Sequence, residues 1–87
     1  MATTYERVRR VVAEQLGYDE RHIKDTARLT SDLGADSLDR VELLMALEDE
    51  FEITVSDADA EEFSNATVSE IAGAIQVRRY EQIFGIK

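Results

Sequence analysis

DLGADSLDRVELLMALEDEF, residues 32–51, is the stretch of sequence that decides the fold. Gly34 interrupts the preceding chain, Asp36 is a favourable N-cap, and apolar residues then recur every three or four positions, which predicts an amphipathic helix. Ser37 is therefore placed at the start of the helix, where its side chain is expected to be exposed. No neighbouring residue is suited to activate Ser37 as a nucleophile. We predict that another enzyme modifies it, and that the chain carries a group and is not itself an enzyme.

The apolar residues of this helix lie on two sides of it at about 100° per residue. The larger group is expected to face the core. The smaller group is in line with Ser37 and flanked by acidic residues, so it is expected to form an exposed apolar strip suited to docking a partner. The alternative is that several helices surround this one and bury both groups. The larger group consists of Leu43, Leu44, Leu47 and Phe51, and the smaller group, the apolar strip, of Leu38, Val41 and Met45.

A helix and a long loop are predicted ahead of the central segment. Thr3-Thr4-Tyr5-Glu6 is a capping box that opens a helix, and Gly17 is a natural left-handed stop. The periodicity fades over residues 18–36, which predicts a long loop with room for one helical turn. The apolar anchors of this loop are Ile23, Leu29 and Leu33.

Two further helices are predicted after the central segment. Ser56 caps a short helix that extends to about Phe63, and Thr67 opens a last helix with a second capping box. Residues 52–55 form an extended connector because no second strand is available to pair with them. The predicted fold class is all-α, a four-helix bundle with three longer helices, a short third helix and a long first loop. The whole chain, residues 1–87, is expected to form a single domain.

The C-terminal segment 78–87 is predicted to extend the last helix. It lacks proline, and several of its apolar and aromatic residues lie four positions apart. A short helical extension needs tertiary contact. We therefore expect Ile83 or Phe84 to pack back on the bundle, on Tyr5 or Val8 of the first helix. The alternative is a frayed end.

Charge and composition limit the possible partners. The net charge is −9, and residues 29–70 contain thirteen acidic residues and a single basic one, Arg40. Such a surface repels phosphate backbones and anionic lipids, so we expect partner proteins with basic patches and no nucleic acid. The absence of cysteine means that any thiol chemistry is brought by a cofactor. No segment is apolar enough for a membrane span, and a monomeric cytoplasmic protein is expected.

Two other kinds of chemistry do not fit the residues. A hydrolase with Ser37 as its nucleophile is not supported, because the sequence around Ser37 lacks the G-x-S-x-G elbow. The one histidine, His22, also has no recognisable partner. A calcium loop starting at Asp57 fails because its sixth position is Glu62 and its twelfth is Val68. We therefore predict no catalytic residues and no metal site. A serine at a helix start is suited to a phosphodiester, because free N–H groups and the helix dipole favour an anion, although the nearby acids oppose it.

The central segment resembles the acyl carrier proteins of fatty acid synthesis. The resemblance runs from about Glu6 to Ile75 and is strongest at Asp32-Leu33-Gly34-Ala35-Asp36-Ser37-Leu38-Asp39. It implies a right-handed four-helix bundle of the acyl-carrier type. It also implies that Ser37 binds 4′-phosphopantetheine covalently, transferred from coenzyme A by a phosphopantetheinyl transferase. The terminal thiol of that arm would carry acyl chains as thioesters.

The resemblance also implies a docking face for the transferase and for acyl-transfer, fatty acid or lipid synthesis enzymes with basic patches. The sequence departs from the family at Ser56, where proline is common, and in residues 78–87, which run past the usual end of the family. A peptidyl or aryl carrier domain and an unmodified acidic helical adaptor are the alternatives. The predicted docking residues are Asp36, Leu38, Asp39, Val41, Glu42, Met45 and Glu48.

Overall fold

The computed structural model describes residues 2–85 and contains four α-helices in that range. A single 3-10 turn, Glu20–His22, interrupts the loop between the first two helices. The part of the chain that is described contains no strand, only one isolated bridge between Arg28 and Thr67. The all-α fold with a short third helix is therefore confirmed. The helices are α1 (Thr4–Leu16), α2 (Ser37–Phe51), α3 (Asp57–Glu62) and α4 (Val68–Phe84).

Every α-helix begins with a capping box. In each box the N-cap side chain accepts a hydrogen bond from the N–H of the third helical residue, whose carboxylate accepts from the N-cap N–H. These bonds satisfy backbone donors that would otherwise lack a partner at a helix start. The boxes predicted at Thr3 and Thr67 are confirmed. The four pairs are Thr3 with Glu6, Asp36 with Asp39, Ser56 with Asp59, and Thr67 with Glu70.

Three of the four described α-helices, α1, α2 and α4, end at a left-handed residue. Gly17 closes α1 with φ 78°, as its position in the sequence predicts, and Gly85 closes α4 with φ 68°. Glu52 closes α2 with φ 54°, although it is not a glycine. Its N–H donates to the Glu48 carbonyl oxygen. A left-handed glutamate is unusual and carries no sequence signal for a helix end.

The long first loop is held against the connection between α3 and α4. Ile23 and Leu29 are buried and Leu33 is partly buried, so these predicted anchors are confirmed. The Leu29 N–H donates to the Ala66 carbonyl oxygen at 3.1 Å, and the Val68 N–H donates to the Ala27 carbonyl oxygen at 3.1 Å. These backbone bonds join segments that are distant in sequence. They fix the part of the loop that leads to Ser37.

The core lies where α1 packs against both α2 and α4. On α2 the buried residues are Leu43, Leu47 and Phe51, while Leu44 is half-buried. The larger apolar group therefore faces the core as predicted. The largest fully buried side chains of the bundle are Leu29, Leu43, Leu47, Ile71, Ile75, Val8, Val12 and Val68.

The Phe51 ring brings three helices together. The Arg7 guanidinium of α1 lies 4.4 Å from the ring centroid, and the Arg79 guanidinium of α4 lies 5.3 Å from it. Arg7 also donates through Nε to Glu50 Oε2 at 2.9 Å, and Arg79 donates to the Thr4 hydroxyl at 3.1 Å. These contacts combine cation–π attraction with charge-assisted hydrogen bonds. They hold the C-terminal end of α2 between α1 and α4.

The final turns of α4 depart from the predicted packing. The helix continues to Phe84, but Ile83 is 70% exposed and Phe84 is 63% exposed, so the expected packing of either residue on the bundle is wrong. The buried stripe of α4 ends at Ile75, and the next residues that reach the bundle are polar. Arg79 contacts Thr4, and the Gln82 amide donates to the Thr54 carbonyl oxygen at 3.4 Å.

The short helix α3 depends on tertiary contacts, since six residues are too few to form a stable isolated helix. The Arg78 guanidinium of α4 donates to the Asp59 carboxylate, which also accepts from the Ser56 hydroxyl at 3.0 Å. Burial alone would raise the pKa of the Asp59 carboxyl. The hydrogen bonds from Ser56 and the charge of Arg78 outweigh burial and hold that pKa below its ordinary value of 3.8. The ionised form of Asp59 is therefore the one that stabilises α3.

We predict that Leu47→Ala and Met45→Ala have very different effects on stability, although the two residues are close together on α2. Leu47 is fully buried, whereas Met45 is 60% exposed. Truncation at Leu47 leaves a cavity and is expected to lower the free energy of unfolding by about 2–4 kcal/mol. Met45→Ala, the control, is expected to change it by less than about 1 kcal/mol. Urea unfolding followed by circular dichroism measures both, and similar losses would contradict this placement of α2.

We also predict a pH-dependent cost for Asp59→Asn. Because the folded-state pKa is lowered, the carboxylate stabilises the fold above its unfolded pKa, and this contribution is lost as pH falls through the folded pKa. At pH 7 the variant is expected to lose about 1 kcal/mol, and the difference from wild type is expected to shrink as pH falls below the ordinary Asp pKa of 3.8. Asp57→Asn, an equal charge change at the exposed first residue of α3, is the control. A loss that stays constant from pH 7 to pH 3 would contradict the role of the Asp59 charge.

Candidate functional site

Ser37 is the first residue of α2, and it is exposed. On either side of it, Asp36 and Asp39 bond to each other's backbone. The Asp36 carboxylate accepts from the Asp39 N–H at 2.8 Å, and the Asp39 carboxylate accepts from the Asp36 N–H at 3.0 Å. Both carboxylates therefore have a capping role, in which negative charge at a helix start is favourable. The Ser37 hydroxyl remains accessible between them.

The turn before Ser37 is set by Gly34 and Ala35. Gly34 has φ 71°, a left-handed conformation that favours glycine. Ala35 is buried, and its N–H donates to the Leu29 carbonyl oxygen at 2.9 Å. The chain is thus anchored one residue before the N-cap. This anchoring gives Ser37 a defined position relative to the bundle.

Arg40 is the hydrogen-bond partner of the Ser37 hydroxyl among the described residues. Its Nη2 donates to Ser37 Oγ at 3.3 Å, while its Nη1 donates to the Thr30 hydroxyl and to the Ala35 carbonyl oxygen, each at 3.2 Å. A guanidinium stays protonated and cannot accept the proton of the serine. Arg40 is therefore not the base for a reaction of Ser37.

Arg40 is not predicted as a site residue from the sequence, where it stands out only as the lone basic residue of the acidic segment. Its spacing of three positions from Ser37 was the available signal, because residues three apart are neighbours on a helix. The hydrogen bond from Arg40 to Thr30 has no comparable signal in the sequence, because the two residues are ten positions apart. It depends on how the loop folds over the start of α2.

The apolar strip lies on the exposed side of α2. Leu38 is 65% exposed, Val41 54% and Met45 60%. The strip starts at the residue after Ser37, so a partner bound there would be close to the serine. The expectation that these side chains are exposed is confirmed, and the alternative that both apolar groups are buried is wrong.

The acidic residues predicted to border the strip differ in their surroundings. Glu42 is exposed. Glu48 is half-buried, and its Oε2 accepts from the Val55 N–H at 2.8 Å, which holds the connector after α2. Asp36 and Asp39 belong to the capping box. Glu42 is therefore the border residue that is best suited to meet a partner, and its role in docking stays a prediction.

The interior beneath α2 is closed. A cavity of about 10 Å³ lies under Arg40, next to Leu29, Leu43 and Ile71. Such a volume is comparable to a single water molecule. This cavity is therefore too small to hold a bulky group attached to Ser37.

The fold and this site together define a small helical domain with an exposed serine at a helix start. A family model described as a phosphopantetheine attachment site matches residues 6–75. The match covers more than half of the chain, and the chain belongs to this family. Its cofactor is 4′-phosphopantetheine, held covalently, and domains of this kind generally carry a group without catalysing a reaction. In the described part of the chain, no helix combines the length and apolarity that crossing a bilayer requires.

The residues at the start of α2 fit a phosphate-linked arm. Ser37 offers an exposed hydroxyl at a helix N-terminus, where the dipole favours an anion. Arg40 provides a cationic donor at the same hydroxyl. The chain has no cysteine, so a thiol on such an arm would be the only thiol of the loaded protein.

Proposed function

We propose that this chain is an acyl carrier protein in which Ser37 carries the 4′-phosphopantetheine arm. The terminal thiol of the arm holds acyl chains as thioesters and presents them to fatty acid, lipid or specialised acyl-transfer enzymes. The observation that carries the proposal is the exposed hydroxyl at the start of α2, inside a segment matched by the attachment-site family. The resemblance of the Asp36-Ser37-Leu38 core to acyl carriers favours an acyl group over a peptidyl or aryl group.

Loading of Ser37 is a phosphopantetheinyl transfer from coenzyme A. The Ser37 Oγ–P bond forms as the P–O bond within the pyrophosphate of coenzyme A breaks, and adenosine 3′,5′-bisphosphate leaves. The serine proton passes to a base of the transferase, since Arg40 cannot take it. This chain contributes an accessible nucleophile on a rigid helix start, which lowers the entropic cost of alignment.

The partners of this site are the phosphopantetheinyl transferase and synthesis enzymes with basic docking patches. They would bury the apolar strip and meet the acidic charge of Glu42 at its border. The acidic middle of the chain increases the rate of encounter with a basic surface. The same charge disfavours self-association, in agreement with a monomeric cytoplasmic carrier.

An acyl carrier and a peptidyl carrier are distinguished by the group that is transferred to the thiol of the arm. We expect an acyltransferase of fatty acid synthesis to transfer an acyl group from coenzyme A to the loaded chain. Aminoacylation by an adenylating enzyme, without acylation by the acyltransferase, would favour the peptidyl alternative.

We predict that Ser37→Ala folds normally and accepts no arm. The protein is incubated with coenzyme A and a phosphopantetheinyl transferase, and intact mass is measured. Wild type is expected to gain one phosphopantetheine mass and Ser37→Ala none. Ser69→Ala, which removes another exposed serine in the first turn of a helix, is the matched control and is expected to load like wild type. A mass gain that persists in Ser37→Ala would reject Ser37 as the acceptor.

We predict that Glu42→Lys slows loading while leaving the fold intact. Reversal of an exposed charge at the border of the strip weakens steering, so kcat/KM is expected to fall roughly three- to tenfold at low salt, and less at high salt. The control is Glu14→Lys, an equal reversal of an exposed acid on α1. Equal effects of the two reversals would mean that overall charge, and not this border, governs the encounter.

A further inference from the structure

The Arg40 guanidinium takes no part in the proton transfer that loads Ser37. It is the only basic side chain in residues 29–70. It lies at the serine, with Nη2 3.3 Å from Ser37 Oγ. A cation at the acceptor hydroxyl attracts any anion that binds there, even though this part of the chain is the most acidic.

The guanidinium is held in place from the opposite side. Nη1 donates to the Thr30 hydroxyl and to the Ala35 carbonyl oxygen. Thr30 is itself fixed, because its N–H donates to the Asn65 side-chain oxygen at 3.1 Å. Arg40 is therefore oriented before any ligand arrives. Pre-orientation reduces the entropy that a long side chain loses when it binds an anion.

Negative charge is concentrated at the site. The carboxylates of Asp36 and Asp39 flank Ser37 and would repel a phosphate group. The Arg40 charge offsets part of this repulsion. Arg is also the side chain best suited to phosphate oxygens, because its planar N–H groups bond to two of them at once. Three of its five N–H donors are used by the contacts described above.

We propose that Arg40 is the phosphate-binding residue of this carrier site. Its Nη2 donates to the phosphodiester once that group is on Ser37, and to the pyrophosphate of coenzyme A during loading. The inference rests on the proposed function of Ser37. It adds no covalent step: Arg40 keeps its proton throughout, and the Ser37 hydroxyl, which accepts from Arg40, keeps its own proton for the base of the transferase.

The phosphate-binding role is tested by whether loading becomes slower or faster when Arg40 is replaced. If Arg40 were only a surface charge, its removal would make the site more acidic and would accelerate encounter with a basic transferase. The phosphate-binding role predicts the opposite. Loss of one charge-assisted hydrogen bond is expected to lower kcat/KM for loading of Arg40→Gln about five- to tenfold.

The matched control is Arg28→Gln. It removes the same charge from a side chain that also braces the loop, since Arg28 Nη1 donates to the Asn65 carbonyl oxygen at 3.0 Å. We expect Arg28→Gln to load within about twofold of wild type. Arg40→Lys keeps the charge and loses the planar fork, so an intermediate rate is expected. It also provides a folded test protein if Arg40→Gln is unstable.

The second readout is the phosphorus NMR spectrum of fully loaded protein, which reports on the phosphodiester itself. The chemical shift is expected to change in Arg40→Gln and to remain at the wild-type value in Arg28→Gln. Three outcomes of these tests would contradict a proposal. If wild type is loaded but Arg40→Gln loads as fast as wild type or faster, the inference about Arg40 is wrong and the carrier function stands. A slower rate with an unchanged phosphorus shift also overturns it, because Arg40 is then only a brace. Wild type that takes up no arm rejects the proposed function itself.

Discussion

The one-sided burial of α2 is the constraint on which the rest of the structure depends. The helix has apolar residues on two sides, and the bundle buries only the side that contains Leu43 and Leu47. α1 packs on that side, and the other side, which contains Leu38 and Met45, lies in solvent. Ser37 opens the same helix, so packing in the core determines where the serine points.

Acidic residues have two separate roles around this helix. Some make structural hydrogen bonds: Asp36 and Asp39 cap the helix start, and Glu48 holds the backbone at Val55. Others, such as Glu42, are exposed beside the apolar strip. A high negative charge therefore does not by itself identify a docking surface. The hydrogen bonds of each carboxylate indicate which of them a partner would meet.

The sequence was sufficient for the features that depend on neighbouring residues. The capping boxes at Thr3 and Thr67, the stop at Gly17 and the two sides of α2 follow from spacing alone, and all are confirmed. Features that depend on distant contacts were not predictable. The Arg40 contact with Thr30 requires the folded loop, and the closure of α2 at Glu52 relies on a left-handed residue that sequence statistics disfavour. The spacing of four residues predicts that Ile83 or Phe84 packs on the bundle, but the core ends before the helix reaches them.

The proposed carrier function depends on a thiol that the sequence does not contain and that an arm on Ser37 would supply. Because the sequence contains no cysteine, thiol titration under denaturing conditions has no background from the protein. After incubation with coenzyme A and a phosphopantetheinyl transferase, followed by removal of free coenzyme A, we expect about one thiol per chain. We expect none before incubation and none in Ser37→Ala. Absence of a protein-bound thiol in treated wild type, or its presence in treated Ser37→Ala, would contradict the account.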